Sequence, residues 1–165
     1  MAPEEYPGEY YSAPCTSPLY QGGRGQPSEC STLQTITFAE GSVLESIGQY
    51  AFATTGVTSV DFPASLKTIG AYAFYGGLAP NTVKTITFTE GTVLETIGEW
   101  AFESTGLASV AFPASLKTIG SMSFAYCDQL TTAWFDGSAY SACYPTDVTV
   151  ATDAFEGSQV DPQPC

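Results

Sequence analysis

The side chains able to carry chemistry in this chain are carboxylates, hydroxyls and thiols, because its 165 residues contain no histidine. The absence of histidine excludes Ser-His-Asp triads, the commonest general base and the commonest metal ligand. Seventeen Asp and Glu stand against four Lys and Arg, for a formal charge of −13. Phosphate groups and anionic lipid surfaces are bound by clusters of basic residues. We therefore expect neither nucleic acid nor a membrane as a partner.

The cysteines are Cys15, Cys30, Cys127, Cys143 and Cys165. They lack the C-x-x-C spacing of a zinc site. Two lie near each end of the chain, which predicts disulfides Cys15–Cys30 and Cys143–Cys165 with Cys127 unpaired; the alternative is five reduced thiols. Disulfides form in oxidising compartments, so the pairing predicts an extracellular or cell-surface location. No segment approaches the roughly 18 apolar residues of a membrane span, and the acidic start is not a signal peptide.

The acidic residues recur in a pattern, since Glu40 and Glu45 are repeated 50 positions later as Glu90 and Glu95. Stacked carboxylates could bind Ca²⁺, and a pair of them could hydrolyse a glycosidic bond. Equivalent residues two coils apart in a stacked repeat would lie roughly 10 Å from one another, too far to share an ion. Nothing singles out a catalytic pair. We expect solvated surface, no metal, no cofactor and no enzymatic activity.

A strong internal repeat must position these side chains. Residues 35–74 match residues 85–124 without gaps, and each unit is itself double. An L-x-x-I-x-F motif begins at Leu33, Val57, Val83, Leu107 and Leu130, and an I-G-x-x-A-F group follows each of its first four copies, with a degenerate fifth at 150–155. This spacing predicts about five coils of one solenoid.

Each coil is predicted to contain one short strand, because the end of L-x-x-I-x-F alternates with period two. Ile36 and Phe38 face one side, and Thr35 and Thr37 face the other. The I-G-x-x-A-F group is too short for a helix, so we expect a 3₁₀ turn or an irregular strand there. One coil cannot bury both apolar groups alone, whereas stacked coils bury them in a continuous ladder.

Two runs identify the family that the chain resembles: FPASLKTIGAYAF at 62–74 and FPASLKTIGSMSF at 112–124. They are similar to the BspA-like leucine-rich repeat. The resemblance covers about 33–135 and places Cys127 at the family's terminal cysteine position, where a small buried residue is expected. It implies a secreted or surface protein that acts in adhesion and in binding other proteins. This chain differs from the family pattern in the longer turns AEGSVLESIG and TEGTVLETIG.

Three regions follow from the repeat. Residues 1–32 are Pro- and Tyr-rich and are expected to form a partly flexible N-terminal cap. Residues 33–135 form the solenoid, and 136–165 form a C-terminal cap with a degenerate last repeat. Both caps are expected to carry a disulfide, since a terminal coil otherwise exposes its core.

The outward side of the strands is the predicted binding surface, and we call it the strand face. Its candidate residues are Thr35, Thr37, Thr58, Ser59, Asp61, Lys84, Thr85, Thr87, Thr132 and Trp134. A hydroxyl-rich sheet with a tryptophan suits recognition of a protein or a glycan. One alternative is a structural building block in which copies of the chain stack through open solenoid ends, as unpaired strand edges allow. Ice binding is a third hypothesis, because TIT at 35–37 and 85–87 matches a T-x-T pattern.

Overall fold

A computed structural model describes residues 33–76, 82–135, 143–160 and 163–164. In these ranges the chain forms short strands joined by turns, without a helix. The strands are β1 (Thr35–Thr37), β2 (Ser46–Ile47), β3 (Ser59–Phe62), β4 (Thr68–Ile69), β5 (Thr85–Phe88), β6 (Thr96–Ile97), β7 (Ser109–Ala111), β8 (Thr118–Ile119), β9 (Thr132–Trp134), β10 (Cys143–Tyr144), β11 (Thr149–Val150) and β12 (Gln163–Pro164).

Successive coils stack through parallel strands. On one side, β1, β3 and β5 form a sheet and β7 pairs with β9. The second side holds a five-stranded sheet in the order β11-β8-β6-β4-β2. Each neighbour in these sheets comes from the adjacent coil, which confirms the predicted solenoid of about five coils.

The side opposite the strand face is more regular than the sequence indicated. We expected a 3₁₀ turn or an irregular strand in I-G-x-x-A-F, and the structure places two-residue strands there in one continuous sheet. On the strand face, by contrast, backbone pairing is interrupted between β5 and β7 in the described residues. The continuous backbone ladder therefore lies on the other side of the coil from the one predicted.

The core consists of aligned rows of apolar side chains. The phenylalanines that end each I-G-x-x-A-F group stack with centroid distances of 5.2 or 5.3 Å in the order Phe52, Phe74, Phe102, Phe124 and Phe155. Phe62 and Phe112 pack edge-on against this row. Equivalent side chains of successive coils lie next to one another along the stacking axis. Each ring is therefore buried only when the rings of the neighbouring coils are present.

The longer turns of the odd coils are stabilised by serine side chains from the even coils. The Ser65 hydroxyl lies 2.8 Å from the carbonyl oxygens of both Ser42 and Leu44 and shares its single proton between them. In the second pair of coils, the Ser115 hydroxyl lies 3.1 and 2.8 Å from the carbonyl oxygens of Thr92 and Leu94 in the same arrangement. These bonds satisfy carbonyls that the extended turns leave without a strand partner, and they explain the serine of the PASLK run.

Candidate interaction surfaces

The strand face brings the predicted hydroxyls into register. Thr35, Ser59 and Thr85 lie side by side, and Ser109 pairs with Thr132 in the next two coils. These side chains are exposed or half-buried. A row of hydroxyl groups along the stacking axis is thus present, although the backbone pairing beneath it is interrupted.

A second row runs parallel to the first and is chemically mixed. Thr37, Asp61 and Thr87 are in register and exposed, and Ala111 pairs with the half-buried Trp134. The Thr87 hydroxyl donates a hydrogen bond to the Asp61 carboxylate. The T-x-T pattern that suggested ice binding therefore occurs in two coils with a carboxylate between them.

Two further predicted residues precede the strands. Thr58 uses its hydroxyl to donate to the Gln34 carbonyl at 3.0 Å, which joins the first two coils. Lys84 is exposed directly before β5, and its backbone amide donates to the Thr58 carbonyl at 2.9 Å. Thr58 therefore contributes to coil stacking, while Lys84 adds a positive charge at the edge of the strand face.

Two of the four recurring glutamates form ion pairs with lysines of the neighbouring coil. Glu45 pairs with Lys67 at 2.8 Å and Glu95 pairs with Lys117 at 2.7 Å, each with the lysine of the following coil. The hydrogen bond from Lys117, assisted by its charge and that of Lys67, lowers the pKa of Glu95. Glu40 and Glu90 are exposed. No group of three or more acidic or thiol side chains in the described part of the chain could hold a metal ion.

Of the five cysteines, two lie in the described residues. Cys127 is fully buried, and its Sγ lies 3.2 Å from the Thr105 hydroxyl and 3.2 Å from the Phe102 carbonyl. Burial, opposed in part by the hydrogen bond from Thr105, raises its pKa to about 11. Cys143 lies in β10 and pairs in register with Gln163. Cys15, Cys30 and Cys165 fall outside the described residues, so both disulfides remain predictions.

A second surface, which was not predicted from the sequence, is built by the turns that follow β2, β4 and β6. Tyr50 and Tyr72 stack with centroids 4.7 Å apart, and Tyr72 stacks on Trp100 at 5.9 Å. We call these three side chains the aromatic column. They occupy the second variable position of I-G-x-x-A-F, so aligning the coils position by position would have shown them.

The two sheets, the stacked phenylalanines and the short turns define a leucine-rich-repeat solenoid. A model of the BspA type leucine rich repeat region matches residues 27–131 in six copies. The chain therefore belongs to the BspA-type leucine-rich repeat family, as the motifs predicted.

Two solved structures are similar to this chain to different degrees. The pneumococcal vaccine antigen PcpA matches 70% of this chain and 34% of its own, with 25% identity and a TM-score of 0.58. A leucine rich cell surface protein from Faecalibacterium prausnitzii A2-165 matches 72% of this chain and 44% of its own, with 19% identity and a TM-score of 0.40. This chain thus covers less than half of either structure. No curated protein matches it significantly.

Membrane insertion was not expected from the sequence. Within the residues that the structure describes, no helix is long and apolar enough to cross a membrane.

Proposed function

We propose that this chain is a non-catalytic recognition or adhesion module at the cell surface or outside the cell. The observation that carries the proposal is the exposed row of Thr35, Ser59 and Thr85, held in register by the parallel pairing of β1, β3 and β5. Membership of the BspA-type family and the likeness to a vaccine antigen support it.

The strand face suits a protein or glycan ligand because its polar groups project from parallel strands in register. Neighbouring strands of a sheet lie about 4.8 Å apart, so Thr35, Ser59 and Thr85 form an evenly spaced set of donors and acceptors on β1, β3 and β5. Trp134 adds a half-buried aromatic surface at the end of the second row. Tryptophan is enriched among the residues that dominate binding energy.

The test is binding of the full chain to an array of glycans and extracellular matrix proteins, followed by titration of the strongest ligand. Thr85→Arg places a long charged side chain in the middle of the strand face. Thr149→Arg makes the same change at an exposed position of β11, on the other sheet. We expect the first variant to weaken binding by about tenfold or more and the second by less than about twofold.

Equal affinities for the two variants would contradict the assignment of binding to the strand face. An array in which no protein and no glycan binds would contradict recognition itself.

A further inference from the structure

The strand face differs from the rest of the chain in charge. The chain contains seventeen acidic residues, but the strands of this face carry a single one, Asp61, and Lys84 lies directly before β5. The strand face is therefore close to neutral on a molecule with a formal charge of −13. An anionic ligand finds one lysine there and is repelled by the other surfaces. The charge distribution favours a neutral ligand.

The strand face is also poor in exposed apolar side chains. The large apolar residues that are exposed in the described part of the chain are Val43, Tyr50, Val93 and Tyr126, and none of these four belongs to its strands. Its outward positions hold Thr, Ser, Asp and Ala, with the half-buried Trp134 as the single aromatic residue. Protein–protein interfaces have an apolar core. One aromatic among hydroxyls is better matched to a sugar, which has C–H groups on its ring faces and hydroxyls at its edge.

The hydroxyls of the first row are available to a ligand. The side chains of Thr35, Ser59, Thr85 and Ser109 are exposed or half-buried, and they form no hydrogen bond with another described residue. Each hydroxyl can donate one hydrogen bond and accept two. This row therefore offers donors and acceptors that the fold itself does not use.

The second row has a gap at Ala111. This alanine is exposed and pairs in register with Trp134, while Thr87 lies in the preceding coil. Because Ala111 stays exposed, the indole of Trp134 does not lie across it. Two coil spacings, roughly 10 Å, separate Thr87 from Trp134, and only a methyl group fills the space between them. We call this gap the notch, and it is wide enough for a sugar ring.

Trp134 borders the notch without an aromatic partner. Trp100 is stacked on Tyr72, whereas no other ring of the described residues contacts Trp134. Its neighbour toward the fourth coil is the methyl group of Ala111. The indole is therefore open on the side of the notch, where an apolar ring face can pack against it.

Asp61 lies on the other side of Thr87 in the same row. Its exposed carboxylate accepts a hydrogen bond from the Thr87 hydroxyl, which fixes its orientation. An ionised carboxylate has about four acceptor positions, so further hydrogen bonds remain possible. A hydrogen bond from a ligand hydroxyl to a carboxylate is stronger than one between neutral groups.

We propose that the strand face binds a neutral oligosaccharide along the stacking axis, with one sugar ring in the notch against Trp134. A hydroxyl of a neighbouring sugar donates to Asp61, and the first-row hydroxyls contact the edge of the glycan. This inference rests on the function proposed above and names its ligand class.

The second sheet provides a comparison within the molecule. It also carries a hydroxyl in each coil, at Ser46, Thr68, Thr96, Thr118 and Thr149. That row is bordered by the ion pairs Glu45–Lys67 and Glu95–Lys117. Ion-paired side chains are costly to strip of water. A row of hydroxyls alone therefore does not define the site, which requires the notch and Trp134.

The test titrates the full chain with cellotetraose, mannotetraose and tetra-N-acetylchitotetraose, and with tetragalacturonate as an anionic control. The indole N–H signals of Trp134 and Trp100 in a ¹H–¹⁵N spectrum report the strand face and the aromatic column separately. We expect at least one neutral tetrasaccharide to shift the Trp134 signal in a saturable manner and to leave the Trp100 signal unchanged. Tetragalacturonate should shift neither signal.

Two pairs of variants locate the site, with affinities measured by calorimetry. Ala111→Leu fills the notch, and Ala114→Leu makes the same change at an exposed position of the same coil, beyond the end of β7. We expect the first to weaken binding by about tenfold and the second by less than about twofold. Trp134→Ala should weaken binding by about tenfold or more, and Trp100→Ala by less than about twofold.

Asp61→Asn tests the carboxylate and should weaken binding by about threefold. Ala111→Leu adds a side chain at an exposed position rather than removing one from a half-buried position, so it keeps the test valid if Trp134→Ala does not fold.

Equal affinities for Ala111→Leu and Ala114→Leu would overturn the proposal, as would tighter binding of tetragalacturonate than of every neutral tetrasaccharide. A Trp134 signal that no neutral tetrasaccharide shifts would also overturn it. If an extracellular matrix protein nevertheless binds and Thr85→Arg weakens that binding, the recognition function stands and only the glycan assignment fails. If neither glycan nor protein binds, both proposals fail.

Discussion

At the scale of single residues, Glu103 is a carboxylic acid side chain in a buried environment. Its Oε2 is buried and has no hydrogen-bond partner in the described ranges of the chain, whereas alanine fills the same place in two other coils. We predict that Glu103→Ala raises the free energy of unfolding by about 1–2 kcal/mol at neutral pH, because it removes an unsatisfied buried acceptor. Urea denaturation measures the change.

The control for this substitution is Glu156→Ala, at the exposed equivalent position, where a change within about 0.5 kcal/mol is expected. Destabilisation by Glu103→Ala would show that the carboxylate has a favourable partner in the folded chain.

Cys127 provides a second residue-scale prediction, on pH. Its pKa is raised from 9.0 to about 11 in the folded chain, so folding favours the thiol over the thiolate. The stabilisation is complete below pH 9 and is lost as pH rises from about 9 to about 11. One pKa unit corresponds to about 1.4 kcal/mol. The Cys127 thiol alone should therefore lower the free energy of unfolding by about 2–3 kcal/mol over this pH range.

The matched variant is Cys127→Thr, since threonine occupies the equivalent buried positions 55 and 105. Denaturation curves at pH 8 and pH 11 should show a smaller loss of stability in the variant than in the parent chain. A parent chain and variant with the same pH dependence would contradict a buried, protonated thiol.

At the scale of elements, close contact between coils depends on the glycines that follow β4, β6 and β8, which are Gly70, Gly98 and Gly120. A Cβ placed on Gly98 would lie 2.6 Å from the backbone nitrogen of Ala71 and 2.8 Å from the carbonyl carbon of Gly70. Backbone atoms of the adjacent coil cannot move aside without separating β4 from β6. We predict that Gly98→Ala destabilises the chain by about 3 kcal/mol, at the upper end of overpacking effects.

Gly91→Ala is the matched control, because Gly91 has a φ of +76° and no atom within 4 Å of its virtual Cβ. Only backbone strain is expected there, about 1 kcal/mol. Thermal unfolding of the two variants separates the two effects. Equal losses would show that the coils can move apart at low cost.

The strands themselves illustrate what alternation in the sequence can predict. The motif L-x-x-I-x-F predicted one short strand in each coil, and the structure has such strands beginning at Thr35, Thr85 and Thr132, among others. It could not predict that pairing stops between β5 and β7, since hydrogen bonds depend on how adjacent coils tilt and shift. It also could not predict the serine bonds of Ser65 and Ser115 to the neighbouring turns.

At the scale of the whole molecule, the strand edges and the net charge act on self-assembly in opposite directions. Strand edges at the ends of a solenoid favour stacking of copies, whereas a charge of −13 opposes it. We predict a monomer of 17.4 kDa by size-exclusion chromatography with light scattering, up to millimolar concentration at physiological salt. A mass that grows with protein concentration would contradict this and support the structural building block.

The amino-acid sequence by itself determined the coil, the number of coils and the identity of the core, because these depend on periodic spacing of apolar residues within one repeat. It also determined the residues of the strand face, since alternation assigns each side chain to one side of a strand. The tertiary structure alone decided which of those side chains touch across coils. Tyr50, Tyr72 and Trp100 are each more than twenty residues apart in the sequence. They meet only because the parallel pairing of β2, β4 and β6 places equivalent residues of successive coils next to one another. The burial of Glu103 was decided in the same way, since a side chain loses its water only when the coils on both sides are in place.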